Sequence, residues 1–193
     1  DQHLVLVELL TAPKKMAYQI RIIDRTTGNE DFIRPLEPTA KLRLHTNPDP
    51  ASPELRYWVK SMTSPESLLS YHFEDHNTHA LASPLMIGDY DKKKYVEQRL
   101  WFAARDGVQV PISIVYQASI QLGDNPGYLS AYGAYGQTQD LGFNEKRLSL
   151  LDRGFLIAQI HVRGGGDLGS SWHAAGSLLN KRNSFNDFID GTR

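Results

Sequence analysis

No cysteine occurs among the 193 residues. Disulfide scaffolds, Cys-ligated zinc, iron–sulfur clusters and thiol nucleophiles are therefore excluded from this chain. Neither sign of charge prevails: 21 Lys and Arg stand against 22 Asp and Glu, a formal net charge of −1. That balance builds no global field toward nucleic acid or an anionic membrane, and neither is expected as a partner. No apolar run approaches the roughly 18–20 residues that cross a bilayer. The opening Asp1-Gln2-His3-Leu4-Val5-Leu6-Val7 has no basic stretch and no small-residue cleavage site, so no secretory signal is evident in it. With 40% hydrophobic and 22% charged residues, the composition is that of a folded globular protein and not of a disordered one.

The first 85 residues have a period of two, the mark of half-buried strands. Leu4, Leu6 and Glu8 alternate with Val5, Val7 and Leu9; Tyr18, Ile20 and Ile22 oppose Gln19 and Arg21. Leu42 and Leu44, then Tyr57 and Val59, then Leu69, Tyr71 and Phe73 repeat the rhythm. Turn chemistry separates them at Thr27-Gly28-Asn29, Asn47-Pro48-Asp49-Pro50 and Thr63-Ser64-Pro65. Short strands at intervals of about 10–15 residues predict an all-β repeat, read as blades of a β-propeller whose other blades are missing.

The rhythm then changes. Trp101 to Tyr116 holds two apolar strands around Arg105-Asp106-Gly107-Val108, a hairpin with an Asp-Gly turn. Tyr128 to Tyr132 reads as a short strand. Asn144 caps a helix over 145–152, with Gly154 fit to end it. Phe155 to Val162 is a nearly continuous apolar run, suited to a strand covered on both faces. Strand, helix, strand is the grammar of a parallel sheet, so the second half is read as α/β. A further helix is expected to open at Ser184, with Asp187 three residues on completing a box-like start. Its brevity, and the few strands of the sheet, lead both chain ends to be read as truncations of a larger protein.

Two segments stand out chemically: Ala131-Tyr132-Gly133-Ala134-Tyr135-Gly136, and His161-Val162-Arg163-Gly164-Gly165-Gly166-Asp167-Leu168-Gly169. Both follow expected parallel strands, at the edge where α/β folds place ligands. Glycine there permits positive φ or close backbone approach, and three in a row also suit an anion-binding nest. The spacing is neither GxGxxG nor a Walker motif, so no nucleotide is expected.

At these residues the chain resembles the prolyl oligopeptidase family of serine peptidases, and its oligopeptidase B branch in particular. The resemblance is carried by RLWFAARDGVQVPISIVYQ (99–117), AYGAYG (131–136), RLSLLDRGFLIAQIHVRGGGDLGSSWHAAG (147–176) and KRNSFNDFIDG (181–191). RYWVKSMTSPESL (56–68) is similar to that family's last propeller blade, while the first 55 residues fit by strand rhythm alone. The resemblance implies that residues 1–85 are the C-terminal portion of a seven-bladed propeller. Residues 86–193 would be the N-terminal portion of an α/β-hydrolase domain that cleaves short peptides, without cofactor or metal, in the cytoplasm. Such a fold presents its nucleophile in a GxSxG elbow, followed by Asp and His. No GxSxG occurs in the 193 residues. The triad is therefore expected elsewhere in the parent chain, and this segment alone should hydrolyse nothing.

By the same resemblance, Tyr132 matches the tyrosine whose hydroxyl donates to the developing oxyanion. Phenols ordinarily ionise near pH 10 (about), so they are neutral donors at pH 7. The chain departs from the family pattern just before it, with Ser130 and Ala131 in place of Tyr-Gly. Tyr135 matches an aromatic bordering the primary specificity pocket; packing on Phe143 is the alternative. Asp140 matches the first of two acids that receive a second basic substrate residue, and Gly142 stands at the second. His72, His76, His79 and His161 are read as surface or packed histidines. The function expected is hydrolysis of short peptides after basic residues. A prolyl-specific or dipeptidyl relative and a non-catalytic propeller-type binding module are the alternatives.

Overall fold

The computed structural model describes residues 2–12, 14–86, 88–139 and 142–193. Two antiparallel meanders come first. The first runs β1 (His3–Ala12), β2 (Lys15–Asp24) and β3 (Glu30–Ile33), in the order β1-β2-β3. The second runs β4 (Lys41–Leu44), β5 (Glu54–Lys60), β6 (Ser67–His72) and β7 (Thr78–Ala82), again with each strand beside its predecessor. The side chains selected by the period of two form one shared core: Ile20, Ile22, Leu42, Leu55, Tyr57 and Tyr71. Each such side chain withdrawn from water stabilises by roughly 1.5–3 kcal/mol. The turns are built by polar side chains folding back on the chain. Asp24 accepts the amides of Thr26 and Thr27 at 2.7 and 3.2 Å. Asn47 accepts the Arg56 amide at 2.8 Å and returns a hydrogen bond to the His45 carbonyl. Strands β3 and β7 were not legible in the sequence. One is four residues with two acids, and the other, Thr-His-Ala-Leu-Ala, is exposed throughout.

The second half forms a mixed sheet. Strands β8 (Tyr95–Ala103) and β9 (Gln109–Gln117) make the expected hairpin, turned at Gly107 with φ +83°. Strand β10 (Gly127–Ser130) and β11 (Leu156–Ile160) pair in parallel across helix α1 (Glu145–Leu151), and the order is β10-β11-β9-β8. Asn144 caps α1 by accepting the Lys146 amide at 3.0 Å, as its position predicts. Both faces of β11 are covered. Ile157 packs with Val115, Met62 and Leu151 of α1 on one side, while Ile160 packs with Val110, Val162 and Trp172 on the other.

Helices α2 (Ser170–Ala174) and α3 (Arg182–Asp190) follow. Helix α3 does not open at Ser184. It starts two residues earlier, and Lys181 before it already has helical dihedrals. The Ser184 hydroxyl is turned inward instead, donating to the carbonyls of Arg163 (2.5 Å) and Gly176 (3.2 Å). A tertiary partner has taken the group that local pattern assigns to a cap.

A carboxylate of the mixed sheet receives several hydrogen bonds from the meanders. Glu97 of β8 accepts the amide and hydroxyl of Thr39 at 3.3 and 2.9 Å, and those of Thr63 at 2.8 Å each. Both threonines are buried. Beside it, the Arg99 guanidinium donates to the Pro38 carbonyl at 3.3 Å and meets the Met16 sulfur at 2.7 Å. Burial draws Arg99 down to about 10, an effect the charge of Asp167 opposes.

Candidate active site

Because β10 and β11 are parallel, the loops that follow them leave the same edge of the sheet. Residues 131–137 and 161–169 interleave there. The Gly136 amide donates to the Gly164 carbonyl at 3.2 Å, and the Gly166 amide to Gln137 at 3.1 Å. Glycine is required by contact. A Cβ on Gly164 would stand 2.2 Å from the Gly133 carbonyl oxygen, and one on Gly166 2.1 Å from that of Gly136. The triple glycine therefore serves backbone-to-backbone packing. The amides of Gly164 and Gly166 are spent on Trp172 and Gln137, which argues against the anion nest.

Tyr132 lies on this platform with 45% of its surface exposed, and no described residue hydrogen-bonds its hydroxyl. Tyr135 is 83% exposed and has φ +55°, between Gly133 at +62° and Gly136 at +64°. An aromatic residue in the left-handed region is uncommon, and such strain gathers at binding sites. Packing of Tyr135 on Phe143 is not found. Phe143 instead lies edge-on to Tyr90, with ring centroids 4.8 Å apart. Asp140 lies outside the described residues. Next to it, the Gln139 carbonyl accepts a hydrogen bond from Lys41 of β4, tying this loop to the second meander.

The loops are locked from below by paired charges. Arg163, buried, forms a two-pronged pair with fully buried Asp187 of α3 (Nε–Oδ2 2.9 Å, Nη2–Oδ1 2.6 Å). Its Nη1 reaches Asp106 in the β8–β9 turn at 2.6 Å. These hydrogen bonds hold the guanidinium firmly in its charged form and the Asp106 carboxyl below its usual range. Arg105 makes a second two-pronged pair with Asp190, one turn further along α3, and draws that carboxyl down to about 2. His173 of α2 closes the platform, its Nδ1 2.8 Å from the Gly164 carbonyl and its ring against Gly136.

One constellation has the connectivity of a hydrolytic triad. Ser113 Oγ is 2.8 Å from His161 Nε2, and His161 Nδ1 is 3.0 Å from Asp167 Oδ1. The three residues are 0%, 2% and 4% exposed. Burial, first, and the charges of Arg99 and Lys41 push the imidazole pKa down against the opposing pull of Asp167. The neutral ring donates from Nδ1 to Asp167 and accepts the Ser113 hydroxyl. Substrate has no access to this serine, and the trio is a structural bond between sheet and loop. His161 is thus packed, as expected. His76 pairs with Asp31 and Tyr71 at a cavity of about 440 Å³ in the meanders, which shares no lining residue with the Tyr132 loop.

Comparison with known proteins now gives these loops a family. Residues 141–193 match the model of the prolyl oligopeptidase family. The dipeptidyl aminopeptidase BI of Pseudoxanthomonas mexicana is 37% identical over 90% of the chain and 24% of its own length. Protease 2 of Moraxella lacunata is 34% identical over 70% of the chain and 20% of its own length. The solved oligopeptidase B of Leishmania major superposes with a TM-score of 0.82 at 26% identity, over 98% of this chain and 28% of that one. The chain belongs to the prolyl oligopeptidase family, whose members are serine peptidases. It spans about a quarter of the length of these relatives.

In the sequence, Ser184 and Asp187 read only as a helix start, and Lys181 and Asp190 carry no assigned role. Lys181, Ser184, Asp187 and Asp190 recur every third position, and that polar stripe on a helix was the available signal.

Proposed function

We propose that this chain is part of a serine oligopeptidase that cleaves short peptides after basic residues by Ser-His-Asp acyl transfer. The two meanders are read as the last blades of a seven-bladed propeller, up to about residue 85. Residues 86–193 are read as the start of the α/β-hydrolase domain, with the triad contributed from outside these 193 residues and the segment inactive without it. Tyr132 donates its hydroxyl to the developing oxyanion, Tyr135 borders the primary specificity pocket, and Asp140 faces a second basic substrate residue. One observation carries the reading: a half-exposed tyrosine whose hydroxyl no described residue engages stands on a locked loop at the carboxyl edge of parallel strands. A rigid donor aimed at the transition state is worth roughly 3–4 kcal/mol. In the full-length peptidase, Tyr132→Phe should lower kcat by about 10²–10³-fold with little change in KM. Unchanged kinetics would return Tyr132 to packing.

The 37% identity to a protein named a dipeptidyl aminopeptidase favours a second reading, in which dipeptides are released from free N-termini. Substrates with Arg at the cleavage site, with free and with blocked N-termini, separate the two. Cleavage of the blocked substrate supports the endopeptidase, and turnover of the free one alone supports the dipeptidyl enzyme.

A further inference from the structure

Glycine 133 sits immediately after the proposed donor and is, by itself, the most freely rotating link in the loop. What holds it is visible. On one side, a Cβ at Gly133 would stand 2.3 Å from Val162 Cγ2, so its backbone already presses on the residue that follows β11 closely. On the other, Lys181 Nζ donates to the Gly133 carbonyl at 2.5 Å and reaches Ser184 Oγ at 3.3 Å. The ammonium also lies 5.8 Å above the Phe185 ring. Ser184 is anchored to the Arg163 and Gly176 carbonyls, and Asp187 to Arg163 itself. The polar stripe that begins at Lys181 and continues along α3 therefore grips both site loops, and Lys181 is the member that hydrogen-bonds the tyrosine loop.

We propose that Lys181 is a positioning residue of the oxyanion site: by fixing the Gly133 carbonyl it sets the direction of the Tyr132 hydroxyl. This rests on the reading of Tyr132 as the oxyanion donor. Freed of Lys181, the peptide after Gly133 can rotate, and Tyr132 spends less time where the oxygen develops charge. A hydrogen bond from a cation to a carbonyl is stronger than one between neutral groups, which suits a fixing role. Ground-state binding does not pass through this contact, so the loss belongs to kcat.

The test is a double-mutant cycle in the full-length peptidase, with Lys181→Met, Tyr132→Phe and the pair. Lys181→Met should lower kcat about 10- to 30-fold with KM held within about twofold, because a misplaced catalytic group costs on this order. In the Tyr132→Phe background the same change should cost less than about twofold, since the hydroxyl it directs is gone. An equal loss in both backgrounds would make Lys181 merely structural and overturn the inference, as would no loss in the first. If Tyr132→Phe alone leaves kcat intact, the donor reading falls by its own result, separately from Lys181. Lys181→Gln keeps an N–H donor and should restore much of kcat. Should Lys181→Met fail to fold, Lys181→Leu and Lys181→Ala, which likewise lack a donor, carry the same cycle, judged by the same difference between backgrounds. Affinity for a peptide aldehyde gives an independent readout. It should weaken with kcat in Lys181→Met, and unchanged affinity would overturn the proposal.

Discussion

At the scale of single residues, the chain shows how identical hydrogen-bond connectivity yields opposite roles. Ser113, His161 and Asp167 are joined as a triad is joined, yet burial makes them a rivet. The same burial has a consequence in pH. In the unfolded chain a histidine takes up its proton near pH 6.5 (about); in the native protein the enclosed His161 takes it up only at lower pH. The unfolded state therefore binds more protons below that point, and stability falls with pH there. The contribution of His161 is complete at pH 7 and is lost as pH drops below about 6.5 toward its lowered native value. Urea unfolding of the parent should show this decline. His161→Gln should be less stable at pH 7 but flatter between pH 7 and 5. An unaltered slope would mean that another group governs it.

At the scale of elements, close approach decides which glycines are replaceable. Gly107 and Gly164 both have positive φ, +83° and +99°. Around Gly107 nothing lies within 4 Å of a new Cβ, whereas at Gly164 it would meet the Gly133 and Gly176 carbonyl oxygens at 2.2 and 2.8 Å. Gly107→Ala should then cost about 1–2 kcal/mol, the left-handed strain alone. Gly164→Ala should cost about 3 kcal/mol or more, because backbone must move in two loops. Chemical denaturation of both variants measures this. Equal losses would mean that the 131–137 loop yields easily, and would weaken the claim that it is rigid. Helix α3 belongs to the same scale. Its start is hidden in the sequence because Ser and Asp three residues apart imitate a capping box, whereas both side chains bind loops distant in sequence.

At the scale of the molecule, the meanders and the mixed sheet are coupled by the Glu97 carboxylate, by Arg99 and by Lys41, which links β4 to the Gln139 carbonyl. Met62, from the second meander, completes an apolar cluster with Val115, Ile157 and Leu151. Glu97→Ala removes four hydrogen bonds, leaves the buried Thr39 amide unpaired and leaves the Thr63 amide only its 3.2 Å bond to Ser61 Oγ, a loss of about 3 kcal/mol or more. Amide hydrogen exchange should speed up at Thr39 and Thr63, and the meanders should unfold ahead of the mixed sheet. A single cooperative transition with protection retained at both threonines would show that the apolar contacts suffice.

The two rhythms were legible in the sequence, because strand alternation and the β10–α1–β11 pattern are local properties of the chain. So were the Asp-Gly hairpin, the Asn144 cap and the two glycine-bearing loops, each set by the conformational preference of a few adjacent residues. Strands β3 and β7 escaped, since short or exposed strands carry little alternation and are defined by the neighbour they pair with. The work of Lys181, Ser184, Asp187 and Glu97 was likewise invisible. Each acts on backbone or charge between about 20 and 60 positions away, and only folding brings such groups together. Composition and order thus determined which loops stand at the sheet edge. The tertiary structure decided which side chains face solvent there, which hold the loops still, and that the Ser113-His161-Asp167 chain is sealed inside.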